Sequence, residues 1–431
     1  MKEFDHIPVS KIQRAGKFIQ TGARIGGNYL RHYGKKILQP DMGKEQLHEE
    51  NAADIYHSLS ELKGSALKVA QMLSMDKGLL PKAYQQKFTL AQYSAPPLSY
   101  PLVARIFKKS FGKGPEQIFD TFSHQAINAA SMGQVHQAVL GNWKLAVKVQ
   151  YPGIADSIKS DLAMVRPIAL RMFSINPVDY NEFIREVEER LMEEADYRLE
   201  LRRSMDLSRK CAHIPNIVFP KYYPEYSSER ILTMDWMEGK PLGELFGGKL
   251  TAAQASVLGQ AMWDFYDHQM HELRQVHADP HPGNFLMAPD GRLVVIDFGC
   301  VKTLPDEFHG NFFRLLDRSL LNRPDDLEQA FLDMRFLHPD DTTTERKFFF
   351  RLFAEMVELL SRPFDGETFD FSDEEYFKTL YAYGERLTGM KELRESKQVR
   401  GVRVALYINR TYYGLYSILH ELKVTVRTRR K

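Results

Sequence analysis

Asp279, Asn284 and Asp297 stand within the stretch Arg274–Lys302 (RQVHADPHPGNFLMAPDGRLVVIDFGCVK) at a spacing that suits phosphoryl transfer. A carboxylate such as Asp279, on a loop, can orient or deprotonate an acceptor hydroxyl. Asn284 and Asp297 offer the hard oxygen atoms that magnesium prefers, and magnesium takes only one or two ligands from protein and the rest from water and phosphate. What must position them is a hairpin. Phe285-Leu286-Met287 and Leu293-Val294-Val295-Ile296 read as strands, joined by Pro289-Asp290-Gly291 with Asp-Gly turn chemistry at the tip. Such a hairpin returns the end of its second strand to the start of its first, so Asn284 and Asp297 face one pocket. Each piece alone is also a common structural element. A transition-metal site built from His277, Asp279 and His281 at alternating positions is the other reading of the same loop.

A second set of signals lies upstream. Ile127–Ala138 reads as a small-residue turn entering a strand, where backbone amides can approach phosphate oxygens closely. The strand continues to Leu140, Gly141-Asn142 turns the chain, and Lys144–Val149 returns. Alternation places Lys148 on the face opposite Leu145, Val147 and Val149, and Lys148 in Ala-Val-Lys-Val matches the strand lysine that binds nucleotide phosphates. Such a lysine needs a helix glutamate as its partner. The charged stretch Asp179–Arg203 reads as one helix with Glu186, Glu188, Glu189, Glu193 and Glu194 as candidates. Arg230–Gly239 reads as a strand running into a linker; in a two-lobed kinase that linker is the hinge, and backbone groups near Met237 bind the adenine edge. Thr251 reads as the N-cap of the next helix.

The 431 residues are enough for two or three domains. With 43% hydrophobic and 26% charged residues and a formal net charge of +2, the composition is that of a soluble globular protein and speaks against a nucleic-acid binder. Cys211 and Cys300 are the only cysteines, which excludes a disulfide framework and predicts a reducing compartment. No apolar run approaches the ~20 residues of a transmembrane helix, and no signal-peptide core is present. The expected location is therefore cytoplasmic or peripheral on the inner face of a membrane.

Residues 1–44 hold nine Lys or Arg against three acids, with apolar residues at roughly helical spacing. Such a stretch suits either an anionic membrane surface or a solvated helix face on its own protein. From Lys44 to about Gln92 the pattern is helical, with Lys68 and Gln71 on one face. After Gly299 the chain passes directly to Leu304-Pro305-Asp306 and further helices, without the long segment and Ala-Pro-Glu with which protein kinases dock a peptide. Residues 306–425 read as an aromatic-rich helical core, followed by a basic tail at Val426–Lys431.

Together these motifs resemble the AarF/UbiB family of atypical protein-kinase-like ATPases, over roughly residues 45–320. Lys68-Val69-Ala70-Gln71 is similar to the family's Lys-x-Gly-Gln signature helix, and Asn128-Ala129-Ala130-Ser131 to its alanine-rich nucleotide loop. Ala70 stands where the signature has Gly, and Asn128 where the loop has a further Ala. Glu194-Ala195-Asp196 matches the Glu-x-Asp motif, Glu188 the lysine's helix partner, and Asp279, Asn284 and Asp297 the catalytic and metal positions. The resemblance implies an α+β, two-lobed protein-kinase-like fold with an added N-terminal helical signature region packed over the active site. The expected parts are a basic extension at 1–44, the signature region at 45–100, an N-lobe at 101–235 and a mostly helical C-lobe at 236–431. Lys68 is implied to pair with Glu194, and Gln71 to lie near the phosphates.

The implied function is an ATPase binding Mg-ATP between two lobes and supporting isoprenoid quinone or lipid metabolism at a membrane surface. The implied partners are a nucleotide, a lipid or quinone precursor and quinone-biosynthesis enzymes. Two alternatives keep the same fold. One is a phosphotransferase for a small molecule or protein; the other is a non-catalytic, nucleotide-gated scaffold, for which Ala70 is the sequence support.

Overall fold

A computed structural model of the chain describes residues 24, 45–62, 97–130, 132–173, 177–394, 396, 398 and 400–429. The expected signature helix with Lys68 and Gln71, the loop residue Ser131 and nearly all of the basic N-terminal stretch lie outside these residues. The described chain divides into two compact units. Unit 1 runs to Arg202 and adds Lys221–Trp236 and Leu387–Glu395; unit 2 comprises Arg203–Pro220, Met237–Arg386 and Ser396 onward.

Unit 1 is built on a five-stranded antiparallel sheet: β1 (Thr121–Phe122), β3 (Gly133–Leu140), β4 (Trp143–Gln150) and β6 (Ile231–Asp235) in that order, with β2 (Asn128–Ala130) also on β3. The Gly141-Asn142 turn sets the register of β3 on β4 from Leu140↔Trp143 to Gly133↔Gln150. Period-two alternation then divides the sheet. Leu145, Val147, Val149, Ala138 and Ile231 enter the main core. There they meet Val103, Ile106 and Phe107 from α2 (Tyr100–Phe111), an amphipathic helix with basic residues in its last turn. The same core takes Ala52 and Ile55 from α1 (Glu45–Leu62), Ile158 and Leu162 from α3 (Ile154–Phe173), and Val187 and Leu191 from α4 (Pro177–Glu194). On the opposite face Ala146, Leu232 and Met234 form a smaller cluster with Tyr197 and Tyr222.

The stretch Asp179–Arg203, read from sequence as one helix, is two. α4 stops at Glu194 and α5 (Tyr197–Cys211) begins at Tyr197. Asp196 is the cause: its carboxylate accepts the Leu199 amide at 2.9 Å and its carbonyl accepts the Glu200 amide at 3.0 Å, the geometry of an N-cap.

Unit 2 holds a four-stranded sheet in the order β5 (Ile217–Val218), β10 (Leu293–Val295), β9 (Phe285–Met287), β7 (Lys240–Pro241), and a pair formed by β8 (Gln275–His277) and β11 (Val301–Thr303). Its central helix α6 (Ala252–His268) starts at a reciprocal box: the Thr251 hydroxyl accepts the Gln254 amide at 3.2 Å, and Gln254 Oε1 accepts the Thr251 amide at 3.1 Å. On it packs α11 (Arg403–Leu422), and the unit also holds α7 (Asp306–Arg314), α8 (Pro324–Asp333), α9 (Thr343–Ser361) and α10 (Glu374–Gly389), with buried residues rich in phenylalanine and tyrosine. Part of the expected basic tail is a strand. β13 (Thr425–Arg427) pairs with β12 (Thr368–Asp370), and the Gln260 side chain bonds both the amide (2.8 Å) and the carbonyl (3.1 Å) of Arg427.

A chain of polar groups crosses the core of unit 1. The Gln134 Oε1 accepts the Leu98 amide at 2.6 Å, Gln134 Nε2 lies 2.8 Å from His136 Nε2, and His136 Nδ1 lies 2.7 Å from the Ser123 carbonyl. A carbonyl can only accept, so Nδ1 carries the proton and Nε2 accepts from Gln134. Protonating Nε2 would set one donor against another. Burial holds the fully buried imidazole below its usual 6.5, against the Ser123 carbonyl, which favours the charged form. The unfolded chain therefore takes up this proton at higher pH than the folded one, and stability falls as pH drops below 6.5. The urea midpoint should decline between about pH 7 and about pH 5, and His136→Gln should flatten that decline. An unchanged pH dependence in the variant would remove His136 as its source.

Candidate functional site

Unit 1 holds Lys148 in a closed arrangement. On β4, Ala146, Lys148 and Gln150 share the face away from the main core. Lys148 Nζ donates to Glu200 Oε1 at 2.8 Å, with both side chains almost fully buried, and the ammonium stands 5.1 Å above the centre of the Tyr197 ring. Gln150 Nε2 donates to the Ala195 carbonyl at 2.8 Å. That bond satisfies a helix-end carbonyl of α4 and fixes where α5 begins, so that Tyr197 and Glu200, one turn apart, both reach Lys148.

The lysine's partner is Glu200, which corrects the expectation of Glu188. Glu188 lies on α4, where its carboxylate is 3.6 Å from the exposed Lys159 ammonium. The break at Ala195-Asp196 redirects the chain, and the acid delivered to the sheet comes from α5. An Asp suited to an N-cap is the local sign of this helix start, and it does not by itself select Glu200. Glu194 is buried with Arg190, whose Nε lies 3.4 Å from its carboxylate; the Lys68 implied for it lies outside the described residues. Asp196 serves as the cap of α5. Ala129 and Ala130 form a paired strand opposite Gln134 and Gly133, where a loop was expected. Met237 is half-buried and lies just beyond β6, where the chain re-enters unit 2.

Unit 2 holds the carboxylates. β9 and β10 pair from Leu293↔Met287 to Val295↔Phe285. The hydrogen bonds Gly291 to Ala288 and Ala288 to Arg292, each 2.9 Å, close the turn. One rung beyond, the Ile296 amide donates to the Asn284 carbonyl at 3.1 Å, which sets Asp297 beside Asn284 along the chain. Asn284 Nδ2 donates to the Asp279 carbonyl at 2.9 Å, and the Asp297 carboxylate accepts the Gly299 amide at 2.7 Å. A further bond, Ala278 amide to Cys300 carbonyl at 2.8 Å, ties the loop to the segment after Gly299.

His277 anchors the loop from inside. It is fully buried beside Phe285 and Phe298, its amide donates to Gln269 Oε1 at 2.9 Å, and its Nδ1 lies 3.0 Å from the Tyr266 hydroxyl. Burial, then the neighbouring Asp279 charge, hold the Tyr266 phenol well above its ordinary range, so it stays protonated. His281 turns its Nδ1 to the Gly283 amide at 3.1 Å. The transition-metal reading fails on these partners, and the described residues hold no group of three or more His, Cys, Asp or Glu suited to a metal. Magnesium fits better: Asn284, turned by its bond to the Asp279 carbonyl, and Asp297 supply oxygen only, and magnesium leaves its remaining positions to water and phosphate.

One contributor had no motif. Gly414 on α11 lies against Pro280 of the loop: a Cβ built there would sit 2.5 Å from Pro280 Cγ and 3.2 Å from its carbonyl oxygen. Only glycine lets this helix and this loop touch.

Residues 90–327 match the family described as the ABC1 atypical kinase-like domain. A chloroplastic aarF domain-containing protein kinase of Arabidopsis thaliana is 30% identical over 295 residues, covering 67% of this chain and 42% of its own. The mitochondrial atypical kinase COQ8B of Rattus norvegicus is 28% identical over 377 residues, covering 85% and 70%. Among solved structures, that of Rv3197 with erythromycin, from Mycobacterium tuberculosis, superposes with a TM-score of 0.61 at 26% identity, over 89% of this chain and 95% of that one. The chain spans less than half of the first two curated relatives it matches, 42% and 43% of their lengths.

Two substitutions test the geometry. Glu200→Gln removes the carboxylate charge 2.8 Å from the buried Lys148 ammonium and should lower unfolding free energy by about 3–5 kcal/mol in urea, whereas Glu188→Gln, on a solvated pair, should stay within about 1 kcal/mol. Equal costs would return the partner's role to the longer helix first expected. Gly414→Ala should shift Pro280 and lower any turnover that uses Asp279 by about 10- to 100-fold, with little change in Tm; unaltered turnover would show that the loop does not depend on α11.

Proposed function

Because the chain belongs to the ABC1 family of atypical kinase-like proteins, the AarF/UbiB family, we propose that it is a kinase-like ATPase that binds Mg-ATP and serves isoprenoid quinone or lipid metabolism at a membrane surface. The observation that carries the nucleotide part is the buried Lys148–Glu200 pair. A desolvated ion pair of this kind is costly to maintain and adds little to stability. Its use is to hold one ammonium at one point, which is what recognition of the α- and β-phosphates requires.

In this reading Lys148 binds those phosphates and Glu200 fixes its position. Asn284 and Asp297 hold magnesium, which when bound neutralises charge on the phosphate oxygens. Asp279 orients the attacking hydroxyl or water and accepts its proton. His277, Phe298 and the β8–β11 pair keep the loop that carries Asp279 rigid. Hydrolysis, or transfer to a small acceptor, is favoured over transfer to a peptide by the segment after Gly299. There β11 closes on β8 at once and α7 begins at Asp306, which leaves little chain with which to register a substrate strand.

The quinone and membrane part rests on the family resemblance. No helix among the described residues is long and apolar enough to cross a membrane, so contact with lipid in this reading is peripheral. The scaffold reading has Ala70 in its favour; the oxygen-only set of Asn284 and Asp297 beside Asp279 speaks for turnover.

Phosphate release by the purified chain with magnesium and ATP, with and without liposomes of anionic phospholipid, tests both parts. Turnover should rise on the liposomes. Asp297→Asn should lower it by about two orders of magnitude or more, as the loss of several kcal/mol of charge stabilisation requires. Tight magnesium-dependent binding without turnover would favour the scaffold, and labelling of a defined acceptor the phosphotransferase. Unchanged magnesium dependence in Asp297→Asn would remove this residue as the metal ligand.

A further inference from the structure

Lys148 has a partner that no nucleotide-binding motif specifies. Its ammonium lies over the face of Tyr197, 5.1 Å from the ring centre, while Glu200 takes it at 2.8 Å. Tyr197 is 1% exposed and opens α5, directly after the Asp196 cap. Its hydroxyl reaches the other way: a Cβ built on Gly133 would sit 2.8 Å from the Tyr197 Oη and 2.4 Å from the Val149 carbonyl. Gly133 is the first residue of β3 and pairs with Ala130 across the β2–β3 turn, the stretch whose small residues were read as the nucleotide cradle. One side chain therefore touches the lysine with its face and the base of that turn with its hydroxyl.

We propose that Tyr197 is a positioning residue for Lys148, and that through Gly133 it couples the placement of the β2–β3 turn to that of the ammonium. A lysine held only by a carboxylate can swing about the contact, because its four-carbon stem has many rotamers. A ring face below and a carboxylate beside it restrict the ammonium from two directions, and in a desolvated site the attraction to the ring is at its strongest. The ring also screens the ammonium from water. Asp196 and Gln150 act upstream, by fixing the first turn of α5 where Tyr197 lies. Absence of a side chain at position 133 is the complementary condition, since any Cβ there would collide with the hydroxyl and the β4 backbone.

The test uses the full chain carrying Tyr197→Phe, Tyr197→Leu or Tyr197→Met, the last two being apolar side chains, one branched and one linear, without a π face. The first readout is the rate at which acetic anhydride acetylates Lys148 without nucleotide, followed by peptide mass spectrometry. Phe should match the parent. Leu and Met should each raise the rate, and the affinity for a fluorescent ATP analogue, the second readout, should fall by about tenfold as the ammonium is released. Leu201→Ala, at a partly buried residue packed against the same apolar cluster, should move Tm and leave Lys148 acetylation as it was. Parent-like acetylation in both Leu and Met overturns the proposal, as does an equal rise in Leu201→Ala. The affinity arm rests on the nucleotide reading above; the acetylation arm does not, so a chain that binds no nucleotide still decides the role of Tyr197.

Discussion

Burying the Lys148 ammonium sets the terms for the rest of unit 1. A charge taken out of water must meet an opposite charge in good geometry, or the fold loses several kcal/mol. Glu200 meets that condition only because α5 starts where it does, and α5 starts there for two reasons: Asp196 caps it, and Gln150, on the same strand face as Lys148, bonds the Ala195 carbonyl. The strand thus positions its own counterion. Register, face and helix break are one constraint, since a one-residue slip of β4 would turn both Lys148 and Gln150 into the apolar core.

Unit 2 solves a different problem by different means. Its carboxylates are half-buried, which fits the hydrated cation proposed for them. Backbone bonds position them: the Asp297 carboxylate accepts the Gly299 amide, and Asn284 Nδ2 donates to the Asp279 carbonyl. The hairpin register brings Ile296 back to Asn284, and the β8–β11 pair closes the loop from the other side. His277 and Phe298, both fully buried, peg the two ends of that loop into the core beside Tyr266 and Phe265. Histidine is used here as a core side chain with a fixed partner, which is why a metal reading of the same loop finds no ligands.

What could be read from sequence follows the range of the forces involved. Both hairpins and the face carrying Lys148 were legible, because alternation and turn chemistry act over a few residues. So was the Thr251 cap. The lysine's partner was not: the helix break that selects Glu200 depends on Gln150 meeting Ala195, 45 positions away. The strand at Thr425–Arg427 runs into what was read only as a basic tail from Val426 on, since its pairing with β12 and its clamp by Gln260, 167 positions away, leave no local trace. Ala129 and Ala130 are small enough for a loop, and only pairing with β3 makes them a strand.

Gly414 carries the same lesson into function. The span that matches the family ends at residue 327, yet a helix well beyond it rests on Pro280, next to Asp279. In the proposed reading the chemistry of the matched span is set by a few oxygen atoms and one ammonium, and such atoms do not select an acceptor. Selection requires surfaces around the loop, and in unit 2 one such surface is α11, with Gly414 against the loop and Tyr412 and Tyr416 packed towards Trp263 and Phe364. In the proposed reading, the surfaces around the loop then decide between different acceptors and water alone, with Asp279, Asn284 and Asp297 unaltered.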